Sequence, residues 1–170
     1  PAMALKKQRV LALVDENLVP PDDPAGHDVV SAPWKMEYDV VHTLREQGHE
    51  VLAVGVGSEL GVIRRAVEEM KPDIAFNLLE SFAEVATWDL NVVAYLELMR
   101  VPYTGCNTRG LLLARDKALA KKVLSYHRIP GPDFVAVPRG RAARRPRRLG
   151  FPLIVKSLTL DASIGISQAS

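Results

Sequence analysis

Apolar residues follow two different periods along the first part of the chain. Val10–Val14 is a short, continuous apolar run with β-branched residues at both ends, which is typical of a strand buried on both faces of a parallel sheet. Glu50–Val56 and Ile74–Phe76 predict two further strands. Apolar residues at helical spacing predict helices around residues 40–44, 62–70 and 88–99. This alternation indicates an α/β fold with an open parallel sheet and right-handed crossovers.

The pattern changes in the second part of the chain. Leu119–Tyr126 predicts a helix, and Phe134–Val137 and Pro152–Val155 predict two strands joined by an arginine-rich connection. Because consecutive strands without a crossover helix pair antiparallel, this part is predicted to be a separate unit. We therefore divide the chain into an α/β domain at residues 3–108 and a second domain at residues 109–170. We interpret Pro1-Ala2 as an artificial extension before Met3.

Charge is distributed unevenly between these parts. Residues 1–132 contain 15 basic and 18 acidic residues, whereas residues 133–170 contain 7 and 2. The arginines of the connection could form a nucleic-acid patch or a solvated loop, and the lack of interleaved aromatic residues favours the loop. We predict no nucleic-acid partner. The chain has neither a membrane-length apolar run nor a secretory signal pattern, so we predict a cytoplasmic protein without a membrane partner.

Two patterns that suggest cofactor binding have simpler interpretations. Gly55-Val-Gly57-Ser-Glu-Leu-Gly61 resembles a dinucleotide fingerprint, but its spacing differs and it follows the second predicted strand. A tight strand-to-helix turn is the better interpretation. The four histidines show no spacing typical of metal ligands, so no metal site is predicted.

Two lysines and a loop of small residues carry the strongest functional pattern. Lys117 follows an aspartate at the start of a predicted helix, and Lys156 ends a predicted strand. The loop that follows contains Ser163 and Gly165, whose backbone N–H groups could hold an anion. Two cations beside such a loop are typical of a nucleotide triphosphate site. Taken singly, each lysine could equally be a solvated surface charge, and the loop could be an ordinary turn.

Short motifs occur around these lysines in a recognisable order: Phe76-Asn-Leu-Leu79, Pro102-Tyr-Thr-Gly105 and Ile129-Pro130. With Lys117 and Lys156, this order resembles the amino-terminal part of ATP-grasp ligases of the D-alanine–D-alanine ligase type. The resemblance implies a Rossmann-like, pre-ATP-grasp domain followed by the first strands of an α+β ATP-grasp domain. It also implies that Lys117, Lys156, Ser163 and Gly165 bind ATP.

The substrate residues of those ligases are not reproduced here. The ligases follow their first strand with a Gly-Gly-x-Ser-x-Glu motif whose acid binds the first substrate's amine, whereas this chain has Asp15 and Glu16. Glu80 stands where they have histidine, and Leu160-Asp-Ala-Ser163 replaces their Glu-Gly-Ser-Ser loop. Glu16 and Glu80 are candidates for binding a substrate ammonium. A helix-start acid that stabilises the helix dipole is the alternative for Glu80.

The resemblance implies an ATP-dependent carboxylate–amine ligase, in which ATP phosphorylates a carboxylate and an amine attacks the acylphosphate. It further implies small-molecule substrates, Mg²⁺ with ATP, and a homodimer. Because the Mg²⁺-binding acids of such ligases come later in the chain, we expect residues 1–170 alone to be inactive, and no individual catalytic residue is predicted. The alternative is a non-catalytic α/β module for ligand binding or dimerisation, with the lysines as surface charges.

Overall fold

Three parallel strands form the sheet of the first part of the protein. In the computed structural model, which describes residues 6–160, they are β1 (Arg9–Asp15), β2 (Glu50–Val56) and β3 (Ile74–Asn77). Their order is β2-β1-β3, with Leu11 opposite both Leu52 and Ala75. The central position of β1 explains its continuous apolar sequence, because neighbours on both sides and packing on both faces exclude water.

Three helices accompany the sheet, namely α1 (Lys35–Glu46), α2 (Gly61–Met70) and α3 (Asp89–Leu98). One-turn 3-10 helices at Glu16–Leu18 and Ala86–Trp88 follow β1 and precede α3. The core cluster consists of Leu11, Leu13, Val56, Ile63, Ala66, Ala75, Leu79, Val92, Leu96 and Val101. The predicted open α/β fold with a parallel sheet is therefore confirmed.

Residues 102–104 extend the sheet beyond β3. Ala75 donates its N–H to Pro102 O (2.8 Å), and Thr104 N donates to Ala75 O (3.0 Å). The Thr104 hydroxyl oxygen accepts from the backbone N–H of Asn77 at 3.0 Å. Two of the motifs that carry the family resemblance, at 76–79 and 102–105, are thus hydrogen-bonded to each other at the carboxyl end of β3.

A hydrogen-bonded group around Glu97 fixes the segment after Tyr103. The Tyr103 hydroxyl donates to Glu97 Oε1 at 2.7 Å, and the Thr108 hydroxyl donates to Glu97 Oε2 at 2.9 Å. The hydrogen bond to this carboxylate is the main cause that raises the pKa of Tyr103 from 10.0 to about 12. These contacts join the end of α3 to the residues that lead out of the first unit.

The chain divides into two compact units between Thr108 and Arg109. The second contains most of α4 (Thr108–Arg115) and all of α5 (Lys117–Tyr126). Asp116 caps α5, since its Oδ1 accepts from the N–H groups of Ala118 (2.9 Å) and Leu119 (2.8 Å). The helix predicted at 119–126 is confirmed, whereas α4 was not predicted.

The two strands predicted in the second unit do not form. Phe134–Val137 and Pro152–Val155 carry no strand assignment, and their apolar side chains Val135, Val137, Leu153, Ile154 and Val155 are exposed. A strand needs a hydrogen-bonded neighbour, and within residues 6–160 neither segment pairs with one. The strand interpretation of these segments is therefore corrected for this structure, and the ATP-grasp strands stay a proposal.

Candidate functional site

A cavity of about 280 Å³ lies at the carboxyl ends of β1 and β3. This is the edge at which open parallel sheets bind ligands. The residues lining it are Asp15, Leu18, Pro33, Met36, Glu37, Leu78, Glu80 and Ser81. Of the residues described as lining the cavity, three are acidic and none is basic. The cavity is therefore suited to a cation with an apolar part.

Glu37 is the most unusual of these residues. It lies in the first turn of α1 with only 2% of its surface exposed, and among the described residues its Oε2 atom is buried without a hydrogen-bond partner. Burying a polar atom without a hydrogen bond costs about 1–3 kcal/mol, whereas the helix dipole stabilises an acid in the first turn by about 0.3–1 kcal/mol. The dipole alone does not offset the burial of Glu37.

Asp15 reaches the cavity from the end of β1. Its Oδ1 accepts from Asn17 N at 2.8 Å and from Asn17 Nδ2 at 3.0 Å, which closes the turn that begins the 3-10 helix. This turn brings Leu18 into the cavity lining beside Asp15. The acidic sequence after the first strand thus has a local structural role as well as a place in the site.

Glu16 lies away from the cavity, against the end of β2. A Cβ atom built on Gly57 would be 2.3 Å from the carboxylate of Glu16, so the glycine leaves the space that this carboxylate occupies. Gly55 leaves space in the same way for Val19 and for the backbone of Glu16. The glycines that suggested a dinucleotide site accommodate the turn after β1.

The loop after β3 supplies Glu80 and Ser81 to the cavity. Asn77 Oδ1 accepts from Leu79 N at 3.3 Å, and Ala83 N donates to Gly57 O at 3.2 Å. Ala83 and Glu84 both have left-handed backbone conformations, with φ of 51° and 61°. Residues other than glycine keep this unfavourable backbone conformation only where surrounding contacts stabilise it. The hydrogen bonds of this loop at the ends of β2 and β3 therefore fix its conformation.

Of the two substrate candidates predicted from the sequence, Glu80 lines the cavity and Glu16 does not. The sequence analysis missed Glu37 altogether. A signal was present, because Glu37 precedes the apolar residues Val41 and Leu44 by four and seven positions. Those spacings place it on the buried face of α1.

Lys117 is the first residue of α5, and its ammonium group is directed to the end of the described chain. Lys117 Nζ donates to Leu160 O at 2.7 Å and to Leu158 O at 3.4 Å, and Lys117 N donates to Leu158 O at 3.2 Å. The lysine is thus held against the backbone that immediately precedes the predicted phosphate loop.

The other residues predicted to bind the nucleotide have no such contact described. Lys156 is exposed. Ser163 and Gly165 lie outside the described residues, so their predicted roles stay predictions.

Within residues 6–160 no group of three or more histidine, cysteine, aspartate or glutamate side chains is arranged to hold a metal ion. In the same range, no helix has both the length and the apolar character that crossing a bilayer requires.

These features define the first unit as an α/β unit with an acidic ligand-sized cavity, followed by a unit in which Lys117 contacts the backbone of Leu158 and Leu160. The chain is 34% identical over 126 residues to a D-alanine–D-alanine ligase of Pelotomaculum thermopropionicum, covering 68% of this chain and 38% of that ligase.

Two further relatives carry the same name. The D-alanine–D-alanine ligase of Syntrophotalea carbinolica is 34% identical over 75% of this chain and 40% of its own length. That of Parvibaculum lavamentivorans is 30% identical over 81% of this chain and 45% of its own length. No protein-family model matches the chain. The chain is thus similar to D-alanine–D-alanine ligases, as predicted, and spans about two fifths of the length of these relatives.

Proposed function

We propose that the chain is the amino-terminal portion of an ATP-dependent carboxylate–amine ligase. ATP would phosphorylate a carboxylate, and an amine would attack the acylphosphate and release phosphate. The relatives named D-alanine–D-alanine ligase support this reaction class. The first unit would be the pre-ATP-grasp domain, and the second would begin the ATP-grasp domain.

The contact between Lys117 and the backbone at Leu158 and Leu160 carries the proposal. It supports a site in which one lysine ammonium lies beside the start of the loop that contains Ser163 and Gly165. Lys156 would supply a second positive charge, and the loop would supply backbone N–H groups to the phosphates. Mg²⁺ would neutralise the phosphates when ATP is bound, with protein ligands from later in the ligase.

Glu16 and Glu80 stay our proposed substrate acids, with Glu80 favoured because it lines the cavity. The substrates would be a small carboxylate and a small amine. We also propose a homodimer in the cytoplasm, without nucleic-acid or membrane partners. The side chains of Trp88 and Leu98, at the two ends of α3, are exposed by 46% and 82% and are candidates for the dimer contact.

The test is phosphate release from ATP by the full-length protein in the presence of Mg²⁺ and D-alanine. We expect release that depends on the amino acid in the full-length protein, loss of it in Lys117→Ala, and no turnover by residues 1–170 alone. Lys121→Ala is the matched control, since Lys121 Nζ on the same helix contacts Pro132 O at 2.8 Å instead.

One observation favours the alternative, a non-catalytic ligand-binding module. The cavity lined by Glu37 is formed entirely by residues of the first unit. Such a module would bind its ligand in the absence of ATP, and its function would not require ATP. A full-length protein that neither binds ATP nor releases phosphate with any amino acid would support this alternative and contradict the ligase.

A further inference from the structure

The arginine-rich connection of the second unit, which we define as residues 138–149, carries charge of one sign only. Residues 134–155 contain no lysine, aspartate or glutamate, but they contain six arginines within ten positions, namely Arg139, Arg141, Arg144, Arg145, Arg147 and Arg148. A solvated connection needs polar residues, but it needs neither a single charge sign nor arginine in particular. The composition of this connection therefore indicates a role beyond solubility.

Two hydrogen-bonded turns shape the arginine-rich connection. Arg141 N donates to Pro138 O at 3.1 Å, and Gly140 between them has a φ of 78°, a left-handed conformation that glycine adopts readily. Leu149 N donates to Pro146 O at 3.0 Å, and the Leu149 side chain is buried. The connection therefore has a defined backbone course with a turn at each end.

Two of the arginines stabilise this course through contacts within the second unit. Arg148 Nη2 donates to Phe134 O at 3.2 Å. Arg145 Nη1 donates to Leu149 O, and the Arg145 guanidinium lies over the Phe151 ring, 5.2 Å from its centroid. These contacts give Arg145 and Arg148 a structural role.

The other four arginines have no such contacts. They are exposed, and among the described residues their side chains form no hydrogen bond or ion pair: Arg139, Arg141, Arg144 and Arg147. A guanidinium presents its N–H donors in a planar fork that matches the two oxygens of a carboxylate, whereas a lysine ammonium is a point charge. Four such forks on a connection with a defined course form a surface for a partner that carries several carboxylates.

We propose that the arginine-rich connection binds an acidic segment of a partner protein, in which several aspartate or glutamate side chains lie close together in sequence. The exposed arginines donate paired hydrogen bonds to the carboxylates, and the attraction between opposite charges adds to these bonds at low salt. This binding is separate from the proposed ligase reaction. It needs no ATP and is measured without it.

A nucleic acid or an anionic membrane fits these features less well than an acidic protein segment. Phe151 is the single aromatic residue at positions 135–155, so the connection lacks the row of rings on which bases stack. Within the described chain, residues 134–155 form neither a helix nor a strand that could enter a DNA groove. An anionic lipid surface attracts lysine and arginine alike, so it does not account for the exclusive use of arginine.

The experiment is a fluorescence anisotropy titration of a labelled peptide of alternating glutamate and serine with the 170-residue protein. The same peptide with glutamine in place of glutamate is the neutral control. At about 50 mM salt we expect saturable binding of the acidic peptide with a Kd on the order of 10 μM, and no binding of the neutral peptide. Raising the salt to about 0.5 M should weaken binding by at least about tenfold.

Two combined variants test the four exposed arginines. Arg139→Gln, Arg141→Gln, Arg144→Gln and Arg147→Gln together should weaken binding of the acidic peptide by at least about tenfold. Lysine at the same four positions keeps the charge but removes the planar fork, so it should weaken binding by at least about threefold. Arg145 and Arg148 are unchanged in both variants, so the contacts that stabilise the connection remain.

The matched control changes net charge by the same amount outside the connection. It replaces four other exposed basic residues by glutamine, namely Lys6, Lys7, Arg65 and Lys122, and should bind the acidic peptide as the wild type does. An equal loss of binding in this control would overturn the proposal, because overall charge would then be the cause. If the fourfold glutamine variant fails to fold, the lysine variant still decides, since wild-type affinity of that variant would contradict recognition by arginine forks.

The competing partners are tested in the same assay. A labelled RNA of about twelve nucleotides and vesicles containing about one-third phosphatidylserine replace the acidic peptide in separate titrations. We expect both to bind more weakly than the acidic peptide. Tighter binding of either one, or the absence of saturable binding of the acidic peptide, would overturn the assignment of this surface to an acidic protein segment.

Discussion

Lys117 Nζ lies 2.7 Å from the carbonyl oxygen of Leu160, which links the first turn of α5 to the residue before the predicted phosphate loop. The same lysine also donates through its backbone N–H to Leu158. A phosphate held by the loop would compete with these carbonyl oxygens for the ammonium group. Lys117 would then exchange a neutral hydrogen-bond acceptor for a charged one.

This relationship gives a prediction for nucleotide binding by the full-length protein. Lys117→Ala and Lys156→Ala should each weaken ATP binding by about 1–3 kcal/mol, the scale of one charge-assisted contact. Calorimetric titration with ATP and Mg²⁺ measures the effect, and Lys121→Ala should bind as the wild type does. Unchanged affinity in both variants would contradict the assignment of the two lysines to the phosphates.

A second prediction concerns the stability of the first unit without ligand. Glu37→Met removes a buried carboxylate whose Oε2 atom lacks a hydrogen-bond partner among the described residues, and it fills a similar volume with an apolar side chain. We expect the free energy of unfolding to rise by about 1–3 kcal/mol, because a buried polar atom without a hydrogen bond is destabilising and an apolar side chain of similar volume removes it. Urea unfolding of the variant measures this, with Glu46→Met as the exposed comparison. Destabilisation by Glu37→Met alone would show that the carboxylate has stabilising contacts of its own.

Tyr103 gives a prediction for alkaline pH. Its hydrogen bond to Glu97 raises its pKa from 10.0 to about 12, so the phenol stays protonated in the folded protein where it ionises in the unfolded chain. The stability from this contact is fully present below pH 10.0 and is lost as the pH rises toward about 12. Tyr103→Phe should lower the free energy of unfolding by about 1 kcal/mol at neutral pH.

The measurement for Tyr103 is the ultraviolet absorbance of tyrosinate during titration of the wild type and of Tyr103→Phe. The difference between the two curves should show one group that titrates near 12. Tyr126→Phe is the control, since Tyr126 is 84% exposed and its ring contacts only His127 among the described aromatic pairs. A difference curve centred at 10.0 would show that the contact with Glu97 is absent in solution.

The first unit was predictable from the sequence because its signals are local. A parallel strand buried on both faces reads as a continuous apolar run, and Val10–Val14 and Glu50–Val56 were placed within one residue of their ends. Helix α4 was missed because Leu111, Leu112 and Leu113 are consecutive and match no single helical face.

Other features depend on tertiary contacts and could not be predicted from the local sequence. Phe134–Val137 and Pro152–Val155 have the composition of strands, but a strand forms only when a neighbour supplies its hydrogen bonds. The direction of Glu16 depends on space left by Gly55 and Gly57, which lie at the end of the neighbouring strand β2, about 40 residues further along the chain. The similarity to ligases was predictable because it depends on motifs whose order survives in the sequence.

The proposed homodimer gives a fourth prediction. Trp88 and Leu98 expose large apolar side chains at the two ends of α3, and contact between two copies would cover them. Light scattering at high micromolar concentration should give a dimer for the wild type and a monomer for Trp88→Lys. Met36→Lys changes an exposed apolar residue on α1 and should stay dimeric. A wild-type monomer at that concentration would exclude this dimer.

The last prediction concerns the glycines at the end of β2. A Cβ atom on Gly55 would lie 2.7 Å from Val19 Cγ2 and 3.0 Å from Glu16 Cα, and the second contact is with backbone that follows directly from the central strand. Gly55→Ala should therefore lower the free energy of unfolding by about 1–3 kcal/mol.

Gly61→Ala is the matched control for Gly55→Ala. A Cβ atom there meets only Arg65 Nη1 at 3.5 Å, an ordinary contact with the end of a flexible side chain. Gly61 is the first residue of α2, where alanine is the better helix former, so this variant should be as stable as the wild type or slightly more stable. Urea unfolding compares the two variants directly. Equal stability of Gly55→Ala and Gly61→Ala would mean that the turn after β1 can move without loss, and that Gly55 serves another purpose.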